Sequence, residues 1–595
     1  MNNLFNDLEK AGLPYLCKAF ANFLYEQNNS EQPVVLLAGA FVSYQLNKGE
    51  VFLDLNKFNE INLTSLNFYF NEDWKTAFST SKVITIGEGN SPLVWDKTHN
   101  RLYLRRYWEY QKTVNDAIEK RIELARTDLP DEITTQLEQF FSASDITPYW
   151  QKIACAVALR SKFSIITGGP GTGKTTTVTK LLALSVLLSR LEKGKEFKPE
   201  ILLAAPTGKA ANRVSESIKN ALVKLKISEE IKALIPKKAK TIHRLLGSRF
   251  DTRLYKHNRQ NPLIADIVII DEASMIDLEM MAALLEALPE NTQLILLGDK
   301  DQLSSVEPGY VFGNLCLGSE NICYNDETIA WIQKYANETV ESKAKEKSPI
   351  NQQTTMLRHS HRFSLDSGIG QLANHVNSAN ENKLFDTDVI FKNYTKDLKE
   401  ITSFTELKNT VEGKNTELNS YIDYKNEIQN RDDYSMPDEW AEKVLKAFDK
   451  FRILCAIHES ELGTDALNNK VQDWLFPNEK NHWFEGRPIM ITKNDYSLGL
   501  MNGDIGIALK IEDNLKVAFL NNDDSDKKIR WFSTSRISDV QTAFALTVHK
   551  SQGSEFNHTL FVLPSSEVNV LSKELYYTAI TRAKDHFTLF NLSSR

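Results

Sequence analysis

The most chemically explicit stretch of the chain is a glycine-rich run ending in lysine and threonine. It reads Thr167-Gly168-Gly169-Pro170-Gly171-Thr172-Gly173-Lys174-Thr175-Thr176, with the pattern G-x-x-x-x-G-K-T from Gly168 to Thr175. Glycines let the backbone curl until its N–H groups face a polyphosphate, and a helix starting there adds its partial positive charge. Lys174 places a point charge on the β and γ oxygens, and the Thr175 hydroxyl suits Mg²⁺. Such a site also needs acids, and Asp271-Glu272 supplies them at the end of the apolar run Ile267-Val268-Ile269-Ile270. Asp271 is suited to hold the metal through water, and Glu272 to polarise an attacking water as general base. These residues make the chain a nucleoside triphosphatase, a set that kinases, transporters and GTPases share; they do not say what the energy drives.

The elements that must position these residues are visible as alternation. From about 150 to 320, the apolar runs Phe163–Thr167, Ile201–Ala205, Ile267–Asp271 and Leu294–Gly298 are each followed by a helical stretch, such as Thr175–Ser189 and Asp277–Ala287. Strand–helix alternation of this kind specifies a parallel sheet with helices on both faces, and such sheets keep their ligands at the C-terminal ends of the strands. A second region, about 440 to 595, repeats the pattern with Ile453–Ala456, Thr559–Leu563 and His586–Leu592. Inside it, Pro488–Thr492, Asp504–Ile511, Leu515–Leu520 and Lys528–Ser533 are short strands separated by the turn signals Met501-Asn502-Gly503-Asp504 and Asn521-Asn522-Asp523-Asp524, the pattern of a small inserted β-barrel. Residues 325–353 and about 396–438 are polar, with little apolar periodicity, and read as surface insertions or linkers. The expected fold class is therefore α/β, with two P-loop-type parallel sheets, an inserted β-barrel and an N-terminal α/β domain.

Further motifs lie at the strand ends. Gln302, in Leu297-Gly298-Asp299-Lys300-Asp301-Gln302-Leu303, falls beside the phosphate site, where it can sense the γ-phosphate and pass its loss elsewhere. Ala205-Pro206-Thr207-Gly208-Lys209 and Thr241-Ile242-His243-Arg244 follow, as do Leu357-Arg358-His359-Ser360-His361-Arg362-Phe363, Leu546-Thr547-Val548-His549-Lys550-Ser551-Gln552-Gly553-Ser554-Glu555-Phe556 and Tyr577-Thr578-Ala579-Ile580-Thr581-Arg582. In order and completeness this series resembles the motifs of superfamily 1 helicases, across residues 150–585. The resemblance implies two RecA-like sheets clamping ATP. It makes Arg362 and Arg582 fingers from the second sheet that reach the γ-phosphate, and Gln151 a reader of the adenine edge. By the same likeness Gly553 and Glu555 join the nucleotide site, and Pro206, Thr207, Lys209, Thr241, His243, Thr547, His549 and Ser551 line single-stranded DNA.

Thr547-x-His549-Lys550-Ser551-Gln552-Gly553 resembles the 5′→3′ branch of that superfamily. In that branch Ser248–Pro262, with Arg249, Arg253, Lys256, His257 and Arg259, sits where a duplex-splitting pin is carried, and 486–535 where an SH3-like domain is inserted. Stretches outside the catalytic motifs are similar to the alpha subunit of bacterial exodeoxyribonuclease V, the RecD family. They include Leu454-Cys455-Ala456-Ile457-His458-Glu459, Gly486-Arg487-Pro488-Ile489-Met490-Ile491-Thr492-Lys493-Asn494-Asp495, Asn502-Gly503-Asp504-Ile505-Gly506-Ile507, Ser91-Pro92-Leu93-Val94-Trp95 and Leu102-Tyr103-Leu104-Arg105-Arg106-Tyr107-Trp108. The resemblance implies a docking domain at 1–125, a first RecA-like domain at 126–340 with a pin at 248–263, and a second at 341–595. It implies a heterotrimer with RecB-like and RecC-like subunits acting in double-strand break resection. No acidic cluster with a catalytic lysine suggests a nuclease, which is expected in a partner. Two other readings share the ATP site: a freestanding 5′→3′ helicase, and a P-loop ATPase switch that does not unwind. Residues 1–145 lack the glycine-containing hairpin pairs that a freestanding enzyme would use on DNA.

Bulk properties agree with a large enzyme. A chain of 595 residues exceeds one core and predicts three to four domains. The net charge of −7 excludes DNA binding by global charge, so any strand must be held in a local groove. Five scattered cysteines form no CxxC pair and suggest neither disulfides nor zinc. No apolar stretch is long enough to span a membrane and the first residues lack a basic n-region, so a cytoplasmic location without membrane contact is expected.

Overall fold

The apolar runs become two parallel sheets whose strands are covered on both faces. The protein is described by a computed structural model over residues 2–28, 31–58, 73–141, 148–249, 252, 254–342, 347–363, 367–379, 386–414, 417–495, 497–521, 528–564 and 571–592. Its strands in chain order are β1 (Phe52–Asp54), β2 (Ile84–Thr85), β3 (Leu93–Asp96), β4 (Arg101–Leu104), β5 (Phe163–Thr167), β6 (Ile201–Ala205), β7 (Lys240–Thr241), β8 (Ile267–Ile270), β9 (Gln293–Gly298) and β10 (Thr354–Met356). They continue with β11 (Leu398–Ile401), β12 (Phe451–Cys455), β13 (Pro488–Ile491), β14 (Ile505–Ile511), β15 (Asn514–Leu520), β16 (Ile529–Ser533), β17 (Val540–Thr542), β18 (Ala545–Thr547), β19 (Phe556–Val562) and β20 (Ala583–Phe590).

The first lobe is built on a six-stranded parallel sheet ordered β10-β5-β9-β8-β6-β7. Alternate residues of its strands feed two separate cores. Ile166, Leu203, Ile269, Ile295 and Leu297 point to one side, against the helices Trp150–Arg160 and Lys174–Lys193. Ile165, Val268, Ile270, Leu294 and Leu296 point to the other, against the helix Leu278–Ala287. Burial on both faces is why these strands read as unbroken apolar runs, where a half-solvated strand would alternate. The second lobe repeats the arrangement in the five-stranded sheet β11-β20-β19-β12-β18, all parallel. Ile453, Cys455, Leu560 and Val562 face one core, and Leu454, Phe561, Phe587 and Leu589 the other.

Between β12 and β18 the chain forms an antiparallel sheet in the row β16-β15-β14-β13-β17. One side of it encloses a small core with Ile489, Ile491, Val517 and Phe519; Ile507, Leu509 and Ala518 join the second lobe. Of the turn expected at Asn521–Asp524, residues 522–524 lie outside the described residues. At the N-terminus, helices Tyr15–Gln27 and Pro33–Asn47 pack with the sheet β1-β4-β3-β2. The helix Arg105–Glu123 then reaches the first lobe. Its buried Arg121 donates to the Leu288 and Pro289 carbonyls at 3.0 and 2.9 Å, satisfying backbone acceptors at a helix end.

The two polar stretches are not loops, which corrects the sequence reading. Residues 326–336 form a helix capped by Asn325, whose side chain accepts from Thr328 N at 2.9 Å. It buries Trp331, Ile332 and Tyr335, and the Trp331 indole donates to the Ala156 carbonyl at 2.9 Å. Residues 398–401 are the edge strand β11, and helices Phe404–Val411 and Tyr421–Gln429 follow. Tyr421 and Tyr424 are fully buried among Phe448 and Phe544, and their hydroxyls donate to the Phe544 and Gly486 carbonyls. A few large aromatics at i, i+3 spacing bury enough area to fix a helix whose other positions are polar.

Candidate functional site

The phosphate loop occupies the turn between β5 and the helix Lys174–Lys193, at the C-terminal end of the sheet. Two of its glycines are dictated by space and conformation together. Gly171 (φ 75°) and Gly173 (φ 83°) lie in the left-handed region, and a Cβ on either would run into Arg362 or the Gln151 amide. Lys174 Nζ folds back to donate to the Gly168 and Gly169 carbonyls at 2.5 and 3.1 Å. Gln151 is buried, and its amide donates to the Thr172 carbonyl at 2.9 Å, so it braces the loop from the helix before β5. The Thr172 hydroxyl donates to the Gly169 carbonyl at 2.8 Å and tightens the same turn.

Asp271 and Glu272 sit just past β8, facing the loop. Glu272 is held in the left-handed region (φ 52°), a conformation costing a non-glycine residue roughly 1–2 kcal/mol. Its N–H donates to Asp271 Oδ1 at 2.8 Å, which pins the two acids to one another. Burial, reinforced by the neighbouring Glu272 charge, pushes the Asp271 carboxyl up to about 6 against the pull of Lys174 and Arg213. The loop, both acids, Gln302, Arg362, Glu555 and Arg582 line one cleft of about 380 Å³. Gly553 lies outside this cleft, packed toward Ala210, where its Cβ would approach to 3.6 Å.

The second sheet does not supply Arg362, contrary to expectation. The three residues of β10 pair with β5, and the chain leaving them is zipped onto the phosphate loop. Leu357 N donates to the Thr167 carbonyl at 2.8 Å, Ser360 Oγ to the Pro170 carbonyl at 2.9 Å, and His361 N to the Gly171 carbonyl at 2.9 Å. Arg362 therefore hangs from the first lobe's own edge strand. Of the two arginines, only Arg582 comes from the second lobe. It is fully buried, with Nε and Nη1 donating to the Thr578 and Ser554 carbonyls at 3.2 and 3.1 Å.

Glu555, also from the second lobe, meets Arg362 Nη2 at 2.8 Å through one oxygen and Arg213 Nη2 through the other. Burial alone would raise its carboxyl, but the two guanidiniums more than offset that and hold it at about 2. Arg213 was not singled out from the sequence. It is a lone arginine on the second turn of the helix Gly208–Lys224, and only its spacing after Lys209 could have drawn notice. Gln302 is buried and its amide donates to Asp299 Oδ2 at 2.9 Å; Tyr577 of the second lobe donates to the same oxygen at 3.2 Å. Next to it, Leu303 N donates to Thr578 Oγ1 at 2.8 Å, and Gln552 Nε2 to the Leu303 carbonyl at 2.9 Å. The loop after β9 is thus bonded directly to the second lobe.

A second groove, of about 390 Å³, opens where the two lobes meet. It gathers Pro206, Thr207, Lys209, Thr241, His243 and His549, six of the eight residues expected along a strand. Thr207 and Thr241 are helix N-caps, accepting from Ala210 N and Arg244 N at 3.2 Å each. Thr547 lies beside the groove, its hydroxyl accepting from Lys550 N at 3.4 Å. Ser551 is buried and donates to the Val548 carbonyl at 2.7 Å, so it shapes the loop from within. The antiparallel insert adds Asn494, Met501 and Asn502, which were read from the sequence only as parts of family-like stretches and a turn and not as strand contacts; Met501 packs against Gly208, where a Cβ would stand 3.1 Å from its own. In the stretch expected to be a pin, Ser248 and Tyr255 form an antiparallel bridge and Leu254 is exposed, whereas Arg253 lies outside the described residues. No helix among the described residues is long and apolar enough to cross a membrane.

Residues 12–103 match the family model described as the N-terminal domain of RecBCD enzyme subunit RecD, 151–308 an AAA domain, and 542–590 a UvrD-like helicase C-terminal domain. The chain is similar to RecBCD enzyme subunit RecD of Haemophilus influenzae, 36% identical over 94% of this chain and 89% of that one. It is 34% identical to the RecD subunit of Mycolicibacterium smegmatis, over 92% and 88%. The ATP-dependent RecD2 DNA helicase of Deinococcus radiodurans is 28% identical over 71% of this chain but only 46% of its own length. A Bacteroides Pif1 helicase solved with ADP-AlF3 and single-stranded DNA aligns over 76% of this chain with a TM-score of 0.36 and 15% identity. Identity of a third or more across nearly the full length of two such subunits settles the family: the chain belongs to the RecD family of RecBCD enzyme subunits.

Proposed function

We propose that the chain is an ATP-driven motor that moves 5′→3′ along single-stranded DNA and unwinds duplex ahead of it. It does so in the cytoplasm, as the alpha subunit of a heterotrimer with RecB-like and RecC-like subunits that resects double-strand breaks for recombinational repair. One observation carries the motor: the nucleotide cleft and the strand groove share their walls. The helix Gly208–Lys224 starts in the groove with Lys209 and reaches the cleft with Arg213, and the loop 547–555 runs from Thr547 at the groove to Glu555 in the cleft. A change in nucleotide is therefore a change in the groove.

In this reading Lys174 holds the β and γ phosphates, and Glu272 accepts the proton of the attacking water. Arg362 and Arg582 stabilise charge developing on the transferred phosphoryl group. Gln302, bonded through Asp299 and Leu303 to Tyr577, Thr578 and Gln552, passes loss of the γ-phosphate to the second lobe. The Thr175 hydroxyl and the Asp271 carboxylate are hard oxygen donors in the same cleft, and an acid raised by burial beside a second acid favours a divalent cation. They would hold Mg²⁺, which supplies neutralising charge on the phosphates when bound. Residues 1–125 serve as the docking domain, 248–263 as the pin and the strands of 486–535 as the SH3-like insert; the boundary between the motor domains falls after β10. Relatives named as RecBCD subunits support the heterotrimer, since their likeness includes the N-terminal segment that the freestanding helicase reading leaves unexplained.

The test is unwinding of duplexes bearing a 5′ or a 3′ overhang, with ATP hydrolysis measured with and without single-stranded DNA. Unwinding from the 5′ overhang and many-fold stimulation by DNA are expected. A hydrolysis rate indifferent to DNA would favour the switch, and a preference for the 3′ overhang would reverse the polarity.

A further inference from the structure

Glu555 poses a problem for the chemistry just described. It belongs to the second lobe, its side chain is 10% exposed, and both its oxygens are engaged by first-lobe guanidiniums: Arg362 at 2.8 Å and Arg213. Arg362 Nη1 is buried beside it without a hydrogen-bond partner. The carboxylate thus occupies Arg362 in the way a γ-phosphate oxygen would. When a triphosphate enters and Arg362 turns to it, a buried anion is left a few ångströms from the arriving phosphate charge. In a poorly solvated cleft such a like-charge contact is strongly unfavourable. Arg582 relieves it only in part: its charge reaches Glu555, but its Nε and Nη1 are committed to backbone carbonyls and it bonds neither carboxylate oxygen. Arg213 remains. It is anchored on the helix Gly208–Lys224, whose Ala210 is packed against Gly553, two residues before Glu555.

We infer that Arg213 is a positioning residue for triphosphate recognition: it retains Glu555 when Arg362 transfers to the γ-phosphate, keeping that carboxylate neutralised and turned away. This rests on the reading of Arg362 as a γ-phosphate contact. Diphosphate does not draw Arg362 away from Glu555, so it needs no such protection. The role of Arg213 is therefore specific to the third phosphate. It also places a nucleotide-sensitive ion pair between the two segments that reach the strand groove.

The experiment measures equilibrium binding of a non-hydrolysable ATP analogue and of ADP, both with Mg²⁺, to the full chain and to Arg213→Ala, Arg213→Lys, Glu555→Gln and the Arg213→Ala/Glu555→Gln pair. Arg213→Ala is expected to weaken the triphosphate analogue about thirtyfold or more, the usual scale for stranding one member of a buried charge pair, and ADP by less than about twofold. Arg213→Lys retains part of the preference. Glu555→Gln in the Arg213→Ala background restores most of the triphosphate affinity, because no anion is left to neutralise. Equal weakening of both nucleotides, or a triphosphate defect that Glu555→Gln leaves unchanged, overturns the inference. If Arg213→Ala folds poorly, Arg213→Gln, closer in volume, makes the same comparison. Absence of DNA-stimulated hydrolysis in the unsubstituted chain would instead count against the motor, and the binding comparison would stand apart from it.

Discussion

The nucleotide cleft and the strand groove lie on either side of the same helix, yet they are built on opposite plans. The cleft takes its largest single share of lining groups, Pro170 to Thr176, from one uninterrupted loop, beside two adjacent acids. The groove is assembled from segments near residues 206, 241, 494, 501 and 549, and much of its lining is helix caps and small polar or apolar side chains. A triphosphate is compact and multiply charged, so recognition pays off locally and leaves a spacing that can be read directly. A strand is extended and is held through many weak contacts, each replaceable, so its track exists only once distant segments meet.

Removing the loop's lysine is the most severe way to probe the difference. Lys174→Gln is expected to lower kcat for ATP hydrolysis by roughly 10²–10³-fold, the scale seen when a transition-state charge contact is lost. Single-stranded DNA binding without nucleotide should stay within about twofold, because Lys174 bonds the loop carbonyls and does not line the groove. A comparable loss of DNA binding, measured by fluorescence anisotropy, would show that the two sites are not separable.

Salt probes the groove in the same spirit. Three fixed cations line it, Lys209, Arg244 and Lys550. Single strands lose affinity with a log–log slope near −0.7 per neutralised phosphate, so the slope should be no steeper than about −2, or roughly fifteenfold between 50 and 200 mM salt. A slope of −5 or steeper would mean that a basic track elsewhere on the surface holds the DNA. The cleft has its own titration. Asp271 is raised to about 6 by burial and by Glu272, and the carboxylate form is the one that receives a cation. Because its pKa is raised, kcat/KM for ATP should be flat above pH 7 and fall about tenfold per unit once pH drops below 6. An acid limb near 4 would mean that Asp271 titrates as an ordinary exposed carboxyl.

The same contrast explains what could be read in advance. The parallel strands were legible because double-sided burial leaves unbroken apolar runs, and the phosphate loop because Gly171 and Gly173 have no substitute where they stand. Arg362 was assigned to the wrong lobe because β10 has only three residues, two of them threonines, and carries no strand signal of its own. Arg213 was passed over because an arginine inside a helix looks like any solvated surface residue until Glu555, far along the chain, is brought to it. Helices around Trp331 and Tyr421 were hidden by polar composition, since composition averages over positions whereas burial depends on the few large rings on one face.

The smallest expected effect is the one that separates the two plans most cleanly. Met501 comes from the insert of the second lobe and closes the groove against Gly208, the first residue of the helix that also carries Arg213. It makes no contribution to the cleft lining. Met501→Ala removes a flexible apolar chain that bridges the lobes over the strand path, and base or sugar contacts of this type are each worth about 1 kcal/mol. Affinity for single-stranded DNA should fall about threefold to tenfold, while KM for ATP at saturating DNA stays within about twofold. If instead KM for ATP rises and DNA affinity holds, the insert acts on the nucleotide through Gly208 and Arg213. The helix would then be a lever shared by both sites, and Met501 would have no part in the strand contacts of the groove.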